Sequence, residues 1–548
     1  MRVSSLITMA GMSSAVTLPT INTTLGYVTG MISPFRSGAA TVYKGIPYAA
    51  PPTGNLRWAE PQPATPWNGT LNATTFGPQC AQQVSSAGIF SSGKTTYSED
   101  CLTLNIWTPT YNDTSDLASS NLPVYVWIFG GRFEGGSGDV PTYDGTGLAT
   151  KGIIVVTLNY RLGAFGYLAH PELLAESVHN TTGNYGLMDQ HFALRWVKDN
   201  IANFGGNPDH VVVGGQSAGS ASALDVMYTN LTDGLVVGVI AESGARAPKD
   251  PMTGGLATSH RYMDDALEQG EAYIASLNVS TIAEARNISV SVLIEGDSDM
   301  DTTFDDTVFV ALPDAFSDPP LWRPVVDGYV LPYAYGEALR SGNHLDVPIL
   351  TGNNHDESGA SPDTSISVTD YVANFTTVLR NYSTEFLELY PSGDNDSTAG
   401  DSFNTFFRDL SRVSTWTWAN QWAAGGAKSN VYHYFFEHSP AENSAAGSYH
   451  GAELWYVFNN IPYTDYSNVT WTSYDILVES IMSQYWANFI TYLDPNGDGT
   501  SNMTYWPASS SSNATTMWLG NTWGASYLAN TTAKIDFIGD WMSVLHEW

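Results

Sequence analysis

Short runs in which nearly every residue is apolar constrain this chain more than any other feature. Five of them, each bounded by turn-forming residues, are Val124–Phe129, Ile153–Leu158, Val211–Val213, Val236–Ile240 and Val347–Leu350. A strand that is apolar throughout, instead of at alternate positions, is buried on both faces, as in parallel sheets covered by helices. The runs therefore predict the strands of a large, mostly parallel central sheet.

A helical pattern lies between two of these runs, in Gly186–Phe204. Its apolar residues fall on one face at helical spacing: Phe192, Ala193, Val197, Ile201 and Phe204. The glycines and proline of Gly205–Pro208 then end the helix. The order strand, helix, strand implies right-handed crossovers, so we predict an α/β fold with helices on both faces of the sheet.

Composition limits the size and the partners of the protein. The chain has 548 residues, and no Pro- or Ser-rich linker divides it, so we predict one domain over residues 16–548. The net charge of −33 repels phosphate backbones and anionic lipid, which argues against nucleic-acid binding. No apolar run reaches the roughly 18 residues of a membrane span. The sequence does not indicate an oligomeric state.

Two features predict export. Residues 1–15 begin with a basic residue and continue through an apolar stretch to a small-residue cleavage site, which is typical of a short signal peptide. The chain also carries fifteen Asn-x-Ser/Thr sequons, roughly twice the number that chance would give. We therefore expect a secreted, extracellular glycoprotein.

The chain has only two cysteines, Cys80 and Cys101. In an oxidising compartment they would form one disulfide, and the alternative is two buried free thiols. Asp494–Thr500 imitates a calcium loop, but Tyr505 stands where the loop requires glutamate, so we predict a turn. No metal or cofactor is expected.

The segment from Gly215 to Gly219 is a G-x-S-x-G motif that follows a predicted strand and precedes a helical stretch. At such a sharp bend the Ser217 hydroxyl is exposed above the sheet, near a helix N-terminus that favours negative charge. Gly215 and Gly219 remove side chains that would collide across the bend. Ser217 is therefore the predicted nucleophile, and the alternative is a purely structural turn.

A serine hydroxyl reacts well only when a base removes its proton, so one of the eleven histidines is needed. His450 is the predicted base because it lies in a loop of small residues that follows the strand-like run Val431–Phe436. His355 is the main alternative, since it lies close to the predicted acid. His433 is expected to pack in the core, and His438 is expected in a surface loop.

The base needs a carboxylate that fixes its tautomer and stabilises the imidazolium. Glu357, just after the predicted strand Val347–Leu350, is the predicted acid. The chain order serine, acid, histidine is the one used on α/β-hydrolase sheets. Asp356 is the alternative acid, although neighbouring side chains cannot point the same way from one loop.

Backbone N–H groups must also stabilise the oxyanion of an acyl-transfer reaction. Ala218, which follows the nucleophile, supplies one such group. The glycine-rich turn Phe129–Phe133 is a second source, and backbone crowding is an equally good explanation of its glycines.

Around these residues stand further segments in a characteristic order: Tyr43–Pro52, Glu99–Ile106, Asn159–Gly166, Asn184–Gln190 and Phe204–Pro208. Together with the motif at Ser217, they show that the chain resembles the type-B carboxylesterase/lipase family, which includes cholinesterases and many secreted fungal esterases. The resemblance runs from about Gly26 to the C-terminus and implies an α/β-hydrolase fold.

The resemblance also implies roles for individual residues. It implies a catalytic triad of Ser217, Glu357 and His450, and a disulfide between Cys80 and Cys101. It further implies that the oxyanion is held by three backbone N–H groups, those of Gly131, Arg132 and Ala218.

The sequence departs from the family pattern at two places in the site. Arg132 stands where the family usually has glycine; its N–H can still serve if the local backbone suits a residue with a Cβ. Its side chain either lines the pocket and pairs with a carboxylate, from Glu134 or a substrate, or turns to solvent. Gln216 replaces the usual glutamate.

A further departure is that the Cys80–Cys101 loop lacks tryptophan. Without that aromatic group, and without an acidic residue before the nucleophile, a choline ester is a poor candidate substrate. This loop is also shorter than the flap of the family's lipases, which favours soluble esters over long-chain lipids.

The resulting prediction is a serine carboxylic ester hydrolase that acts on a small-molecule aliphatic or aryl ester through an acyl-enzyme. The alternatives are a lipase or sterol esterase, a feruloyl-type esterase and, remotely, a catalytically silent adhesion protein. The pocket walls are expected from three segments: Ile89–Tyr97, Trp416–Trp422 and Trp455–Phe458.

Overall fold

The computed structural model describes residues 18, 20–83, 88–110, 117, 119–256, 258–295, 300–441, 443–461, 469–500 and 502–548. The predicted signal peptide at residues 1–15 and the sequons Asn112 and Asn468 lie outside the described residues.

The strands of the described residues, in chain order, are β1 (Thr20–Thr23), β2 (Gly26–Thr29), β3 (Met31–Ile32), β4 (Ala40–Pro47), β5 (Thr70–Asn72), β6 (Gln79–Cys80), β7 (Tyr97–Ser98), β8 (Thr103–Pro109), β9 (Leu122–Ile128), β10 (Ile154–Leu158), β11 (Gly206–Gln216), β12 (Gly238–Glu242), β13 (Arg261–Tyr262), β14 (Val325–Val326), β15 (Ile349–Asn354), β16 (Val431–Phe436), β17 (Thr515–Leu519) and β18 (Gly524–Tyr527). Eleven of them form one sheet in the order β18-β17-β16-β15-β12-β11-β9-β10-β8-β4-β3.

The centre of this sheet is parallel and its edges are antiparallel. Parallel pairing runs without a break from β10 through β9, β11, β12, β15 and β16 to β17. β8, β4 and β3 extend one edge in antiparallel fashion, and β18 closes the other. All five apolar runs lie in adjacent strands of the parallel part, so the predicted central sheet is confirmed.

Helices connect these strands and cover the sheet. The α-helices are Thr146–Ala149, Gly163–Tyr167, Pro171–Glu176, Tyr185–Asn200, Ala218–Asp225, Pro251–Gly254, Met263–Ser276, Ile282–Ala285, Val290–Ile294, Tyr335–Ser341, Val368–Leu379, Ser383–Leu389, Asp396–Ala424, Leu454–Val457, Ser473–Tyr492 and Thr532–Ser543. Every residue of β10, β12 and β15 is buried, which requires cover on both faces. No helix among the described residues is long and apolar enough to cross a membrane.

The helix predicted over Gly186–Phe204 is confirmed with a small change at its end. The α-helix Tyr185–Asn200 passes into a 3₁₀ turn over Ile201–Phe204. Gly205 then adopts φ +88°, a left-handed conformation that favours glycine, and the chain enters β11 directly. The helix therefore leads directly into the strand that ends at Gln216, just before Ser217.

Two buried apolar clusters fill the interior. The larger surrounds the sheet, and the smaller lies among the helices Val368–Leu379, Asp396–Ala424 and Thr532–Ser543. Phe304 and Phe316 belong to the smaller cluster. Its border forms part of the site described below.

Outside the site, the structure agrees with the predicted cysteine pairing and with the turn predicted at Asp494–Thr500. Cys80 and Cys101 are joined in a disulfide, as predicted. Asp494–Thr500 is a turn, in which Asp494 accepts a hydrogen bond from the N–H of Asn496. The carboxylate of Asp189 is buried against Arg161, with two N···O distances of 2.8 Å, which ties two of the characteristic segments together.

Candidate active site

Ser217 stands at the bend between β11 and the helix Ala218–Asp225. Its backbone has φ +60° and ψ −124°, which a residue with a Cβ adopts only when its surroundings impose it. The N–H of Ser217 donates to the carbonyl of Glu242 at the end of β12, at 2.9 Å, and this bond fixes the bend above the sheet. The strained turn is the one predicted from the motif.

The glycines of the motif are required for steric reasons. A Cβ on Gly215 would lie 2.3 Å from the carbonyl oxygen of Gly219, and a Cβ on Gly219 would lie 2.1 Å from that of Ile128. Both are far inside van der Waals contact, so no larger residue fits without moving the backbone. The predicted collision across the bend is confirmed for Gly215, whereas a Cβ on Gly219 would collide with the end of the neighbouring strand β9.

His450 and Glu357 meet although 93 residues separate them in the chain. Nδ1 of His450 lies 2.6 Å from Oε2 of Glu357. Burial alone would lower the pKa of His450, but the hydrogen bond to Glu357 and the charge of that carboxylate outweigh burial and raise it. The carboxylate therefore stabilises the imidazolium and holds the ring with its proton on Nδ1.

Asn354, which the sequence did not single out, fastens the acid to the histidine loop. Its N–H donates to Oε1 of Glu357 at 2.7 Å, and its side-chain amide donates to the carbonyl of Tyr449 at 2.8 Å. The same amide also contacts the carboxyl of Glu453. One residue at the end of β15 thus positions both loops.

Asp356 points away from the base and makes its own contacts. Its carboxylate pairs with His355 at 2.9 Å and with Arg408 at 2.5 Å, and it accepts the N–H of Ser448 at 2.8 Å. Burial would raise the pKa of Asp356, but these groups together hold it at about 2. The alternative acid and the alternative base are therefore paired with each other, whereas Glu357 pairs with His450.

Two other histidines that the sequence analysis considered, His433 and His438, lie away from this pair. His433 is buried, its ring nitrogens have no hydrogen-bond partner among the described residues, and burial lowers its pKa to about 4, as expected of a core residue. His438 is not the surface residue that was expected. Its side chain is only 11% exposed and lies between Asp475 and Asn521, both at 2.9 Å.

Opposite Ser217, the turn after β9 presents backbone N–H groups. Gly131, Arg132 and Phe133 all have positive φ, at +111°, +58° and +61°. The N–H groups of Gly131, Arg132 and Ala218 donate to no other residue in the described part of the chain. Unpaired donors of this kind are what an oxyanion requires.

Another residue is hydrogen-bonded to Nε2 of His450, which is the atom that would take a proton from Ser217. This atom lies 3.0 Å from Nε2 of Gln216. With the His450 proton on Nδ1, the amide of Gln216 is the donor in this bond. The Ser217 hydroxyl has no hydrogen-bond partner among the described residues. From the sequence, Gln216 was recognised only as a departure from the family's usual glutamate, and no sequence pattern indicated this contact.

Ser217 and His450 face a cavity of about 430 Å³. Its apolar lining consists of Phe90, Met252, Leu256, Phe304, Ala315 and Phe316. Gly131, Arg132 and Gln216 form the side nearest the serine. The cavity thus combines an apolar wall with the candidate chemical groups, as expected of a small-molecule site.

The predicted pocket walls are largely wrong. Phe90 comes from the first of the three expected segments, but Trp418, Trp422 and Trp455 from the other two are completely buried in the core. These three tryptophans belong to the larger apolar cluster around the sheet. The true wall comes from Met252, Leu256 and the segment around Phe316, whose sequences carry no periodic signal.

Behind the histidine, Glu242 and Glu453 form a buried pair of carboxyls. Burial and the neighbouring Glu453 raise the pKa of Glu242, and burial next to Glu357 raises the pKa of Glu453. Trp486 donates to Glu242 at 2.8 Å, and the amide of Asn354 meets Glu453. Both raised pKa values disfavour the ionised carboxylates, which limits the negative charge near His450.

The sheet order, the strained serine bend and the loops that follow the strands together define an α/β hydrolase. A solved structure described as PNB esterase has the same fold, with a TM-score of 0.74 at 27% identity, over 95% of this chain and 99% of that one.

The family model described as the carboxylesterase family matches residues 17–535. The fumonisin B1 esterase of Sphingopyxis macrogoltabida is 34% identical, over 86% of this chain and 82% of that protein. Carboxylesterase 1D of Mus musculus is 32% identical, over 89% and 87%. The chain belongs to the carboxylesterase family, and it is an enzyme of that family.

Proposed function

We propose that this carboxylesterase cleaves its ester with Ser217 as nucleophile, His450 as general base and Glu357 as the carboxylate that orients the base. The single observation that carries the proposal is the 2.6 Å contact between His450 and Glu357 beside a serine held at a strained, half-buried bend that lines the cavity. Nucleophile, base and orienting acid are the three parts that acyl transfer requires.

In the first half-reaction, Oγ of Ser217 attacks the ester carbonyl while Nε2 of His450 takes its proton. The carbonyl oxygen becomes an oxyanion, which the N–H groups of Gly131, Arg132 and Ala218 stabilise. The tetrahedral intermediate collapses, the bond to the alcohol breaks, and His450 returns the proton to the departing alkoxide. This leaves an acyl group on Ser217.

In the second half-reaction, water attacks the acyl-enzyme and His450 takes a proton from it. A second oxyanion forms in the same place. As it collapses, the bond between Oγ of Ser217 and the acyl carbon breaks, His450 returns its proton to Oγ, and the carboxylic acid leaves. The charge of Glu357 favours the imidazolium that exists during both steps, which agrees with the raised pKa of His450.

The proposed substrates are soluble aliphatic or aryl esters of small molecules. The cavity of about 430 Å³ and its wall of Phe90, Phe304 and Phe316 suit an apolar group of moderate size. The alternative substrate classes are lipids, sterol esters and feruloyl esters. Fumonisin B1 is a further alternative, because a relative is named for it.

Activity-based labelling tests the catalytic roles. A fluorescent phosphonate should label the wild-type protein at Ser217 and should not label the Ser217→Ala variant, as peptide mapping by mass spectrometry would reveal. Labelling at another side chain, or ester turnover that survives Ser217→Ala, would refute the proposal. A panel of p-nitrophenyl esters of rising chain length, with methyl ferulate and fumonisin B1, then separates the substrate classes.

We further propose that the protein is secreted and glycosylated after removal of residues 1–15. Thirteen of the sequon asparagines belong to the described residues; twelve are exposed, and Asn374 is half-buried. The disulfide between Cys80 and Cys101 is consistent with an oxidising compartment. Expression in a eukaryotic host should yield protein in the medium whose mass falls after N-glycosidase treatment. Retention inside the cell without a mass shift would refute export.

A further inference from the structure

The side chain of Arg132 has no role in the chemistry proposed above. It arises from the turn whose N–H groups are proposed to hold the oxyanion, at φ +58°, where a residue with a Cβ is strained. Glycine would supply the same N–H without that strain. The guanidinium therefore needs an explanation of its own.

Most of the hydrogen-bonding capacity of this guanidinium is unused. Nη2 donates to the carbonyl of Asp318 at 3.0 Å and contacts the sulfur of Met300 at 3.4 Å. The donors on Nε and Nη1 have no hydrogen-bond partner among the described residues. The side chain is 40% exposed and lines the cavity that holds Ser217 and His450. A side chain that lines the cavity of Ser217 thus has donors to spare for a ligand.

The charge of Arg132 is only partly balanced by protein groups. The nearest carboxylate is that of Glu134, 3.7 Å from Nε, which is beyond hydrogen-bond distance. Burial raises the pKa of Glu134 to about 7 despite the nearby Arg132, so this group carries less than a full charge at neutral pH. Asp314 is the one carboxylate among the described residues that line the cavity. An anionic ligand would complete the charge balance.

We propose that Arg132 forms a carboxylate-binding subsite, so that the enzyme prefers esters that carry a free carboxylate near the bond it cleaves. This inference rests on the proposed function. A carboxylate matches the planar fork of arginine, which can donate two parallel N–H bonds to it. The net charge of −33 repels anions at long range, so the preference must come from this local contact.

The position of the subsite limits the substrate further. The N–H of Arg132 is proposed to contact the carbonyl oxygen of the ester, so the bound carboxylate lies within about one arginine side-chain length of the scissile carbonyl. A short methylene chain between the two groups would pack on the wall of Phe304 and Phe316. Monoesters of short dicarboxylic acids, or esters of short hydroxy acids, have this form.

Two matched pairs of esters test the subsite, with the carboxylate in the acid half or in the alcohol half. The first pair is monoethyl adipate and the neutral ethyl 6-methylheptanoate; the second is butanoyloxyacetate and the neutral isobutyl butanoate. Rates are measured by pH-stat at pH 7 and constant ionic strength, for the wild type, Arg132→Gln and Arg132→Lys. Lys198→Gln, which removes a surface cation paired with Asp209, is the control for net charge.

The readout is the ratio of kcat/KM for the anionic ester to that for its neutral partner. A change in the oxyanion hole affects kcat/KM for both esters of a pair, so its effect cancels in this ratio. For at least one pair, Arg132→Gln should lower this ratio by about tenfold or more, the loss expected for one charge-assisted hydrogen bond. Arg132→Lys should keep part of the preference, and Lys198→Gln should keep all of it.

Two results would overturn the proposal in distinguishable ways. For each pair, the ratio measured with Arg132→Gln is compared with the wild-type ratio. If neither ratio changes, while Ser217-dependent hydrolysis of the neutral esters continues, the subsite is refuted and the proposed function stands. If none of the four esters, nor any p-nitrophenyl ester, shows Ser217-dependent turnover, the proposed function fails and the subsite with it.

Discussion

Replacing Gln216 with methionine should increase the reactivity of Ser217. Methionine is similar in length to glutamine but has no N–H to donate. In the structure the Gln216 amide occupies Nε2 of His450 at 3.0 Å, and this is the atom that must accept the serine proton. The amide and the serine therefore compete for one lone pair, and the substitution removes the competitor.

The size of the effect follows from the strength of this single bond. A neutral side-chain hydrogen bond contributes about 0.5–1.5 kcal/mol net, which corresponds to a factor of about two to ten in rate. A donor to Nε2 also favours neutral imidazole over imidazolium. Its removal should raise the pKa of His450, and with it the acid limb of the pH profile, by about half a unit to one unit.

The assay is the second-order rate of phosphonate labelling of Ser217 between pH 5 and pH 9, because this rate needs no ester to occupy the pocket. Gln216→Asn is the matched control, since its amide is one methylene too short to reach the ring. Both variants should label about two to ten times faster on the alkaline plateau. A slower plateau rate, or an acid limb that moves to lower pH, would show that Gln216 anchors the ring instead of competing with Ser217.

Three further perturbations test the site and the fold. Glu357→Gln removes the carboxylate that contributes most to raising the pKa of His450, so the acid limb of kcat/KM should move to lower pH and the plateau should fall at least about 10²-fold; an unshifted limb would contradict the pairing. Asp356 has a folded pKa near 2, below its unfolded value, so its stabilisation of about 2 kcal/mol is present above pH 4 and lost as the pH falls toward 2. Urea melts of wild type and Asp356→Asn should therefore converge at low pH, and parallel curves would count against this. Arg161→Met leaves Asp189 buried without its partner and should cost about 3–5 kcal/mol in the same assay, with a loss below 1 kcal/mol as the contrary result.

The parallel sheet and the serine bend could be predicted because their signals are local. A run of apolar residues identifies a strand buried on both faces, and the glycines around Ser217 identify a bend that excludes side chains. The 3.6-residue period of the helix before β11 is equally local. In each case a window of a few residues contains the physical cause of the structure.

Contacts between distant segments could not be read in this way. Gln216 meets His450 across 234 residues, and Asn354 meets the loop of His450 across 95. Such pairs depend on the register of neighbouring strands and on loop conformations, to which no local pattern corresponds. For the same reason the tryptophans that the sequence suggested for the pocket, such as Trp422, proved to be core residues.

The parallel register of β15 and β16 explains why acid and base meet so far apart in the chain. Asn354 lies beside Phe436 at the same edge of the sheet, so the loops after these two strands begin side by side. Asn354 and Asp356 then bond to Tyr449 and Ser448, the two residues that precede His450. Because of these bonds, the acid loop cannot shift without moving the histidine. The distance between acid and base is therefore set by strand pairing, and the exposed loops are left free to vary around the pocket.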